Sequence, residues 1–207
     1  MVDLIDCFVV VSVSEINSPD LMKKVESYYN REGSAYLIEL KLNDLRQLFN
    51  SFDPSPLLEK DLDDKVETYI VQSAREFSLK TSLKLVFYLP NQVQEEAKQI
   101  VPESIHHYFD YRRQTTEKEL RSILREGRTA LIVGLLFLFF CISASELIGW
   151  LNNKTLVDIF KEGLLIIGWV AMWRPLEIFL YDWWPIYYNR NIFEKLSHID
   201  IEIRSKK

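Results

Sequence analysis

An almost continuous apolar run lies between residues 163 and 190, and it contains charged residues in its interior. Arg174 and Glu177 lie inside this run, with Pro175 between them. A surface helix of a soluble protein repeats its apolar positions with a period of about 3.6 residues and keeps a polar face, which this run lacks. The pattern therefore predicts a transmembrane helix over residues 163–184.

A second apolar run precedes it and predicts another membrane span over residues 129–150. Its first 17 positions, residues 129–145, carry no charge. With the apolar residues that follow, they reach the roughly 20 residues that cross a hydrocarbon core about 30 Å thick. A polar turn at residues 152–154 joins the spans into a hairpin, and Thr155–Glu162 is expected to lie along the membrane surface. Close contact of the two helices is permitted by three glycines, Gly134, Gly163 and Gly168.

The first part of the chain alternates between strand and helix patterns. Strands are predicted where β-branched and alternating apolar residues dominate, at Leu4–Ser14, Ala35–Leu42 and Ser82–Leu89. Helices with apolar stripes are predicted after capping residues at Ser18, Asn43/Asp44 and Asn91, and after the acidic helix start formed by Asp61, Asp63 and Asp64. Gly33 ends the first of these helices, and Pro102 kinks or restarts the last. This alternation indicates an α+β or α/β fold, a small sheet-and-helix domain.

Three segments follow from these patterns. Residues 1–110 form a cytoplasmic α/β domain, and residues 111–190 form an amphipathic collar followed by the transmembrane hairpin. From Thr116 onward, the collar is the charged first part of one long helix that continues into the first span. Residues 191–207 form a short helix and a strand, in which apolar and polar residues alternate from Ile199 to Arg204. We expect this strand to join the sheet at its edge and so to return to the cytoplasmic domain.

Charge is distributed unevenly along the chain, whose net charge is −5. Residues 1–110 carry −8, residues 111–128 carry +3, and the remainder is neutral. The acidic domain argues against nucleic acid as a partner, because phosphate binding requires a basic face. Basic residues near the two ends of the hairpin outnumber those at its tip, which predicts an inner-membrane protein with both termini in the cytoplasm. The basic collar consists of Arg112, Arg113, Lys118, Arg121, Arg125 and Arg128.

The two cysteines, Cys7 and Cys141, lie in separate predicted elements, so we expect free thiols and no disulfide. The first 13 residues contain two aspartates where a signal peptide would carry basic residues. A buried strand is therefore a better interpretation of this segment than a cleavable signal.

Arg174 and Glu177 are three residues apart, so they share one face of a helix and predict an intramembrane ion pair. Counting from either end of the span places Arg174 near the middle of the membrane, where an unpaired charge is costly. The pair can hold the hairpin or an oligomer together, or it can line a pore or proton relay. If the span starts later, Arg174 instead extends its side chain to the membrane surface. Partners on the first span are Ser143, Ser145 and Glu146, and Pro175 is expected to kink the second.

Aromatic residues cluster where the second span ends, and they predict an interfacial aromatic belt. A cage that binds a ligand is the alternative interpretation of the same cluster. The predicted belt consists of Trp150, Tyr181, Trp183, Trp184, Tyr187 and Tyr188.

Two groups of residues raise the question of a metal site. His106, His107 and Asp110 lie close together, but adjacent histidines on a helix point about 100° apart and do not readily bind one ion. Acidic residues around Asp61–Glu67 lack the glycine and the later glutamate of an EF-hand, and they suit the start of a helix. We expect no metal, no cofactor and no catalytic residue, since the chain has no phosphate-binding loop and no motif typical of a nucleophile.

Several motifs resemble a family of uncharacterised prokaryotic membrane proteins. The second span contains Trp173-Arg174-Pro175-Leu176-Glu177, followed by Tyr181-Asp182-Trp183-Trp184-Pro185. Upstream, the chain reads Leu48-Phe49-Asn50-Ser51-Phe52-Asp53-Pro54-Ser55-Pro56 and Lys60-Asp61-Leu62-Asp63-Asp64. The resemblance covers roughly residues 38–204 and implies a membrane protein, but it implies no activity.

These features favour a non-enzymatic, membrane-anchored scaffold or sensor that forms a homo-oligomer. Its partners would be the lipid bilayer, further copies of the chain and a protein bound by the cytoplasmic domain. An oligomeric ion channel or pore lined by the second transmembrane helix is the alternative. An enzyme at the membrane surface is the third class, and the sequence gives it the least support.

Overall fold

The computed structural model describes residues 28–56, 59–148 and 154–205. The predicted strand Leu4–Ser14, the helix after Ser18, and Trp150 therefore lie outside the described residues, as does most of the predicted turn. The chain divides into two compact units. We call Met1–Arg113 with Asn191–Lys207 the sheet unit, and Gln114–Arg190 the hairpin unit.

Four strands and five α-helices make up the described chain. The strands are β1 (Arg31–Glu32), β2 (Ala35–Lys41), β3 (Leu83–Leu89) and β4 (Asp200–Ser205). The helices are α1 (Asp64–Arg75), α2 (Gln94–Ile148), α3 (Lys154–Ala171), α4 (Trp173–Glu177) and α5 (Trp183–Leu196). Short 3-10 helices lie at Leu45–Leu48 and Asn91–Val93, and a π-helix occupies Ile178–Asp182.

The four strands form one mixed sheet in the order β1-β2-β3-β4. β1 is antiparallel to β2, while β2 and β3, and β3 and β4, are parallel. The predicted C-terminal strand is confirmed as a member of the sheet, with Leu85 opposite Ile201 and Phe87 opposite Ile203, and it lies at the edge of the sheet as far as the described residues show. The fold is therefore α+β. Because β3 and β4 are parallel neighbours, everything between residues 89 and 200 is their crossover connection.

One face of the sheet carries apolar side chains, as the alternation in β2 predicts. Ile38, Leu85 and Phe87 are completely buried on it. The core is completed by apolar stripes from α1, from the first part of α2 and from the end of α5, which include Ile70, Val101, Ile105, Phe109, Ile192 and Leu196. Lys195 is half-buried and donates from Nζ to the Ser78 carbonyl at 3.0 Å, and burial lowers its pKa to about 8.

The opposite face of the sheet carries a network of ion pairs between strands. Arg204 Nε donates to Glu202 at 2.8 Å, and Arg204 Nη2 donates to Glu32 at 2.7 Å. Lys84 on β3 also contacts Glu202. Hydrogen bonds from Arg204 and Lys84 lower the pKa of the Glu202 carboxyl to about 2, so it is ionised at neutral pH. The network links β4 to β3 and to β1 on the face away from the apolar core.

Side chains at the start of two helices act as caps, as the sequence predicts. Asp44 accepts a hydrogen bond from the Arg46 amide, and Asp63 accepts one from the Lys65 amide. The prediction for Gly33 is wrong. Gly33 has a φ of 62° and lies in the turn that joins β1 and β2, where a left-handed backbone favours glycine.

The long helix α2 starts earlier than predicted. The sequence suggests a kink or restart at Pro102 and a new helix at Thr116, but one helix runs from Gln94 to Ile148 with Pro102 inside it. Pro102 removes one backbone hydrogen bond, yet the buried stripe continues on both sides of it at Val101 and Ile105. The predicted boundary at residue 110 therefore falls within a helix.

We call the part of α2 from Gln114 onward the first leg of the hairpin unit, and the part from Lys154 to Arg190 its second leg. The second leg is less regular than predicted. Thr155–Glu162 is part of α3, which continues through Gly163 to Ala171 and is not a separate surface segment. Asn191–Leu196 is likewise the end of α5 and not a separate short helix. Between them the chain is interrupted at Met172 and passes through the π-helix.

Two helical segments are long and apolar enough to cross a membrane, Asn91–Leu147 and Asp158–Leu196. In each, only 17% of the most apolar window is buried. A core helix of a soluble protein would be mostly buried, so the low burial supports the membrane interpretation of both predicted spans. The exposed apolar side chains include Ile132, Leu136, Phe139, Phe140, Ile166, Trp169, Val170 and Leu180.

Glycines bring the two legs of the hairpin unit into close contact. A Cβ atom added at Gly134 would lie 3.1 Å from the Ala171 carbonyl oxygen. One added at Gly168 would lie 2.8 Å from Leu138 Cδ1, and one at Gly127 would lie 2.7 Å from Ile178 Cγ2. Gly163 has no atom within 4 Å of that position. Two of the three predicted contact glycines thus pack between the legs, and Gly127 takes the place of Gly163.

We predict that Gly134→Leu destabilises the hairpin unit, whereas Gly163→Leu does not. Leucine at 134 must separate the helices, because its Cβ already contacts backbone, and overpacking of this kind costs about 1–3 kcal/mol. Leucine at 163 enters open space and replaces a poor helix former. The free energy of unfolding of the two purified variants in detergent measures the difference. Equal losses at the two positions would contradict this packing.

Candidate functional site

Arg174 lies at the centre of three carboxylates in the hairpin unit. Its Nη2 donates to Glu126 Oε1 at 3.0 Å, and its Nη1 donates to Asp182 Oδ2 at 2.9 Å. Glu177 Oε2 lies 3.7 Å from Nη1, which is within ion-pair distance but longer than the hydrogen bonds that Arg174 makes to Glu126 and Asp182. We call these four residues the Arg174 cluster. With one positive and three negative groups, the cluster has a net charge of −2 when all are ionised.

The predicted pair of Arg174 and Glu177 is present, but it is the weakest contact of the cluster. The first-helix partner is Glu126, whereas the sequence suggested Ser143, Ser145 and Glu146. Asp182 was not predicted as a partner, although it belongs to the second apolar run. Residues eight apart are separated by about 12 Å along a regular helix. Arg174 and Asp182 nevertheless make a hydrogen bond of 2.9 Å, and the segment between them includes the π-helix.

Glu126 places the cluster at one end of the apolar part of the hairpin unit. Gly134 packs against Ala171, and Gly127 packs against Ile178. Arg174 therefore lies opposite the part of α2 between residues 127 and 134. Its guanidinium extends towards Glu126, on the charged side of this part of the helix. The uncharged stretch of α2 begins only at Thr129. Arg174 thus lies beside the charged end of the uncharged stretch of α2, while its predicted depth in the membrane stays a prediction.

The backbone next to Arg174 departs from the α-helix on both sides. Pro175 has no amide hydrogen for the Ala171 carbonyl, and the helix is interrupted at Met172 one turn earlier. After α4, the residues Ile178–Asp182 form a π-helix. The indole Nε1 of Trp183 donates to the Phe179 carbonyl at 2.8 Å and so satisfies one acceptor in this segment. π-Helical turns inside α-helices occur frequently at functional sites.

In its described part, the predicted aromatic belt lies on the π-helix, with Tyr181, and on the first turns of α5, where three of its rings are in contact. The ring centroid of Trp183 lies 5.5 Å from that of Trp184 and 5.9 Å from that of Tyr187. Tyr181, Trp184 and Tyr187 are exposed, while Tyr188 is half-buried. Exposed rings that keep a polar edge suit the boundary between hydrocarbon and water. Open, largely exposed rings are less suited to the alternative of a ligand cage.

The sheet unit holds the residues that raised the question of a metal. His106 Nε2 lies 2.8 Å from the Ile199 carbonyl, and Asp110 pairs with Arg113 at 2.8 Å. Within the ranges that the structure describes, no group of three His, Cys, Asp or Glu side chains is arranged to hold an ion. Cys141 is a buried free thiol, and Cys7 lies outside those ranges.

Glu67, another residue of the acidic segment, binds two side chains of α2. Its Oε2 accepts from the Tyr108 hydroxyl at 2.6 Å, and its Oε1 lies 2.8 Å from Arg112 Nη2. Burial, and then the hydrogen bond to Glu67, raise the pKa of Tyr108 above its usual value. This carboxylate therefore attaches α1 to α2 within the sheet unit.

The contribution of Arg174 itself to the cluster is electrostatic. A guanidinium remains protonated in proteins and cannot serve as a proton donor and acceptor in turn. Its five donors and fixed fork geometry suit it to hold several carboxylates at once. The cluster consequently links α2 to the irregular part of the second leg, and it concentrates negative charge there.

No known family model matches the chain, and no curated protein or solved structure shows significant similarity to it. The resemblance to uncharacterised prokaryotic membrane proteins therefore stays a prediction from the motifs.

We predict that Arg174 is coupled energetically to Glu126 and Asp182, and only weakly to Glu177. Double-mutant cycles that combine Arg174→Gln with Glu126→Gln or Asp182→Asn should give coupling free energies of about 0.5–3 kcal/mol in unfolding experiments in detergent. The cycle with Glu177→Gln is the matched control and should give less than about 0.5 kcal/mol, because the distance is longer. A largest coupling to Glu177 would contradict the geometry.

Proposed function

We propose that this protein is a non-enzymatic scaffold or sensor, anchored in the inner membrane by its hairpin unit and assembled as a homo-oligomer. The observation that carries the proposal is the exposed apolar surface of both legs of the hairpin. Ile132, Leu136 and Phe139 on α2 are 61%, 66% and 71% exposed. Apolar area of this extent is stable in hydrocarbon and costly in water.

Connectivity supports a topology with both termini in the cytoplasm. The hairpin is the crossover between β3 and β4, two parallel strands of one sheet. A hairpin that leaves one sheet and returns to it must present both of its ends on the same side of a membrane. The basic collar near the first end then favours the cytoplasm as that side.

The apolar side chains that remain exposed after the two legs have packed together support an oligomer. The legs meet along their glycines, but most apolar side chains elsewhere remain exposed. Part of this surface is available to a second copy of the hairpin. The excess of two negative charges in the Arg174 cluster also favours a positively charged neighbour near Glu177.

A hollow in the surface of the sheet unit supports a role in binding. A surface hollow of about 320 Å³ is lined by residues of the Asp53–Pro54–Ser55 and Lys60–Asp61 motifs. Both carboxylate oxygens of Asp53 already accept backbone hydrogen bonds, from the Ser55 and Asp61 amides. The motif thus serves to hold its own loop, and a shaped surface of this kind suits a protein partner.

An oligomeric cation channel is the second candidate, because the Arg174 cluster is incompletely covered. The Arg174 side chain is 52% exposed and is surrounded by more negative than positive charge. If several copies brought these clusters together, rings of carboxylates would attract cations, as in cation channels.

We predict that the purified chain in detergent has the native mass of an oligomer, and that liposomes containing it conduct no cations. The scaffold proposal requires both results. The Asp182→Asn variant, which removes one charge of the cluster, is the matched control. Cation flux with the wild type that decreases in Asp182→Asn liposomes would favour the channel, and a strictly monomeric mass would contradict both candidates.

A further inference from the structure

Four basic residues occupy one face of α2 just before its uncharged stretch. Lys118, Arg121, Arg125 and Arg128 are spaced by three, four and three residues. At about 100° per residue these positions fall within an arc of about 80° on the helix surface. We call this group the basic row.

The same face of α2 becomes apolar immediately beyond the basic row. Ile132, Leu135, Leu136 and Phe139 continue the row at helical spacing, and all four are exposed. The opposite face carries Gly127, Gly134 and Cys141, which are buried. The face with the basic row therefore points away from the second leg and towards the surroundings of the hairpin unit.

Arg125 and Arg128 have no charged partner among the residues that the structure describes, whereas Arg121 pairs with Glu117 and Glu126 pairs with Arg174. Both arginine side chains are exposed. They lie about 4.5 Å apart along the helix axis, so their guanidinium groups can approach the same small anion. A guanidinium matches the oxygens of a phosphate in geometry as well as in charge.

We propose that the basic row and the apolar face that follows it form a binding site for an anionic phospholipid. The phosphate contacts Arg125 and Arg128, and the acyl chains lie along Ile132, Leu136 and Phe139. A lipid with a choline headgroup binds less well, because its quaternary ammonium adds a positive charge beside the arginines. This inference rests on the membrane anchoring proposed above.

The test is native mass spectrometry of the full chain in detergent with equal amounts of phosphatidylglycerol and phosphatidylcholine. We expect the wild type to retain phosphatidylglycerol preferentially. Each arginine near a membrane surface contributes about a fivefold factor, so Arg125→Gln/Arg128→Gln should weaken phosphatidylglycerol binding about 25-fold and leave phosphatidylcholine unchanged. The charge-matched control, Lys41→Gln/Lys80→Gln, changes two exposed lysines of the sheet unit and should retain the preference.

Two further measurements keep the inference falsifiable if the double variant does not fold. The preference of the wild type itself should decline as salt is raised, because the contact is electrostatic. Inorganic phosphate should not displace the lipid, since the apolar face contributes to its binding. A wild type without any preference, or a double variant that retains it, would overturn the proposal.

Flotation of the wild type with phosphatidylcholine vesicles separates this inference from the anchoring on which it rests. A chain that floats, resists extraction at alkaline pH and shows no lipid preference would overturn the lipid site alone. A chain that does not float would overturn the anchoring and the lipid site together.

Discussion

The parallel pairing of β3 with β4 is the constraint on which the rest of the structure depends. Parallel neighbours need a crossover connection, and here that connection holds the whole hairpin unit between residues 89 and 200. The register of Leu85 with Ile201, together with the ion pairs of Glu202 and Arg204, holds the returning strand. Both ends of the hairpin are thereby attached to a single sheet. A membrane placement of the hairpin then has one consistent topology, with the sheet unit on one side.

Two kinds of interaction hold the legs of the hairpin unit together. Glycines allow the legs to touch along the apolar part, where dispersion is the available attraction. The Arg174 cluster joins the legs at the charged end, where Glu126 precedes the uncharged stretch. The interruption at Met172 and the π-helix lie on the second leg at this level. The basic row occupies the opposite face of α2 from the buried glycines near the same end, so the charge that holds the hairpin and the charge that we propose binds lipid lie on different faces of one helix.

The sequence predicts much of this fold because its signals are local. Alternation identifies β2, β3 and β4, caps identify Asp44 and Asp63, and uncharged length identifies both candidate spans. Features that depend on tertiary packing were missed or misplaced. Gly33 was assigned to a helix end because the C-cap of a helix and the turn of a β-hairpin both favour glycine with a left-handed backbone. α2 continues through Pro102 because its buried apolar stripe continues on both sides of the proline. Glu126 could not be predicted as a partner of Arg174, because the sequence does not show which residues of the two legs lie opposite each other. Asp182 could have been predicted, because it is a second carboxylate close to Arg174 in the sequence.

Cysteine accessibility in intact cells tests the central claim, that the hairpin leaves one sheet and returns to it across the membrane. Cys7 and Cys141 are first replaced by serine, and single cysteines are placed at Lys80, Ser205 or Asn152. A membrane-impermeant thiol reagent should label Asn152→Cys in intact cells. It should label Lys80→Cys and Ser205→Cys only after the cells are permeabilised. Labelling of Ser205→Cys but not Lys80→Cys in intact cells, or protection of Asn152→Cys, would contradict the account.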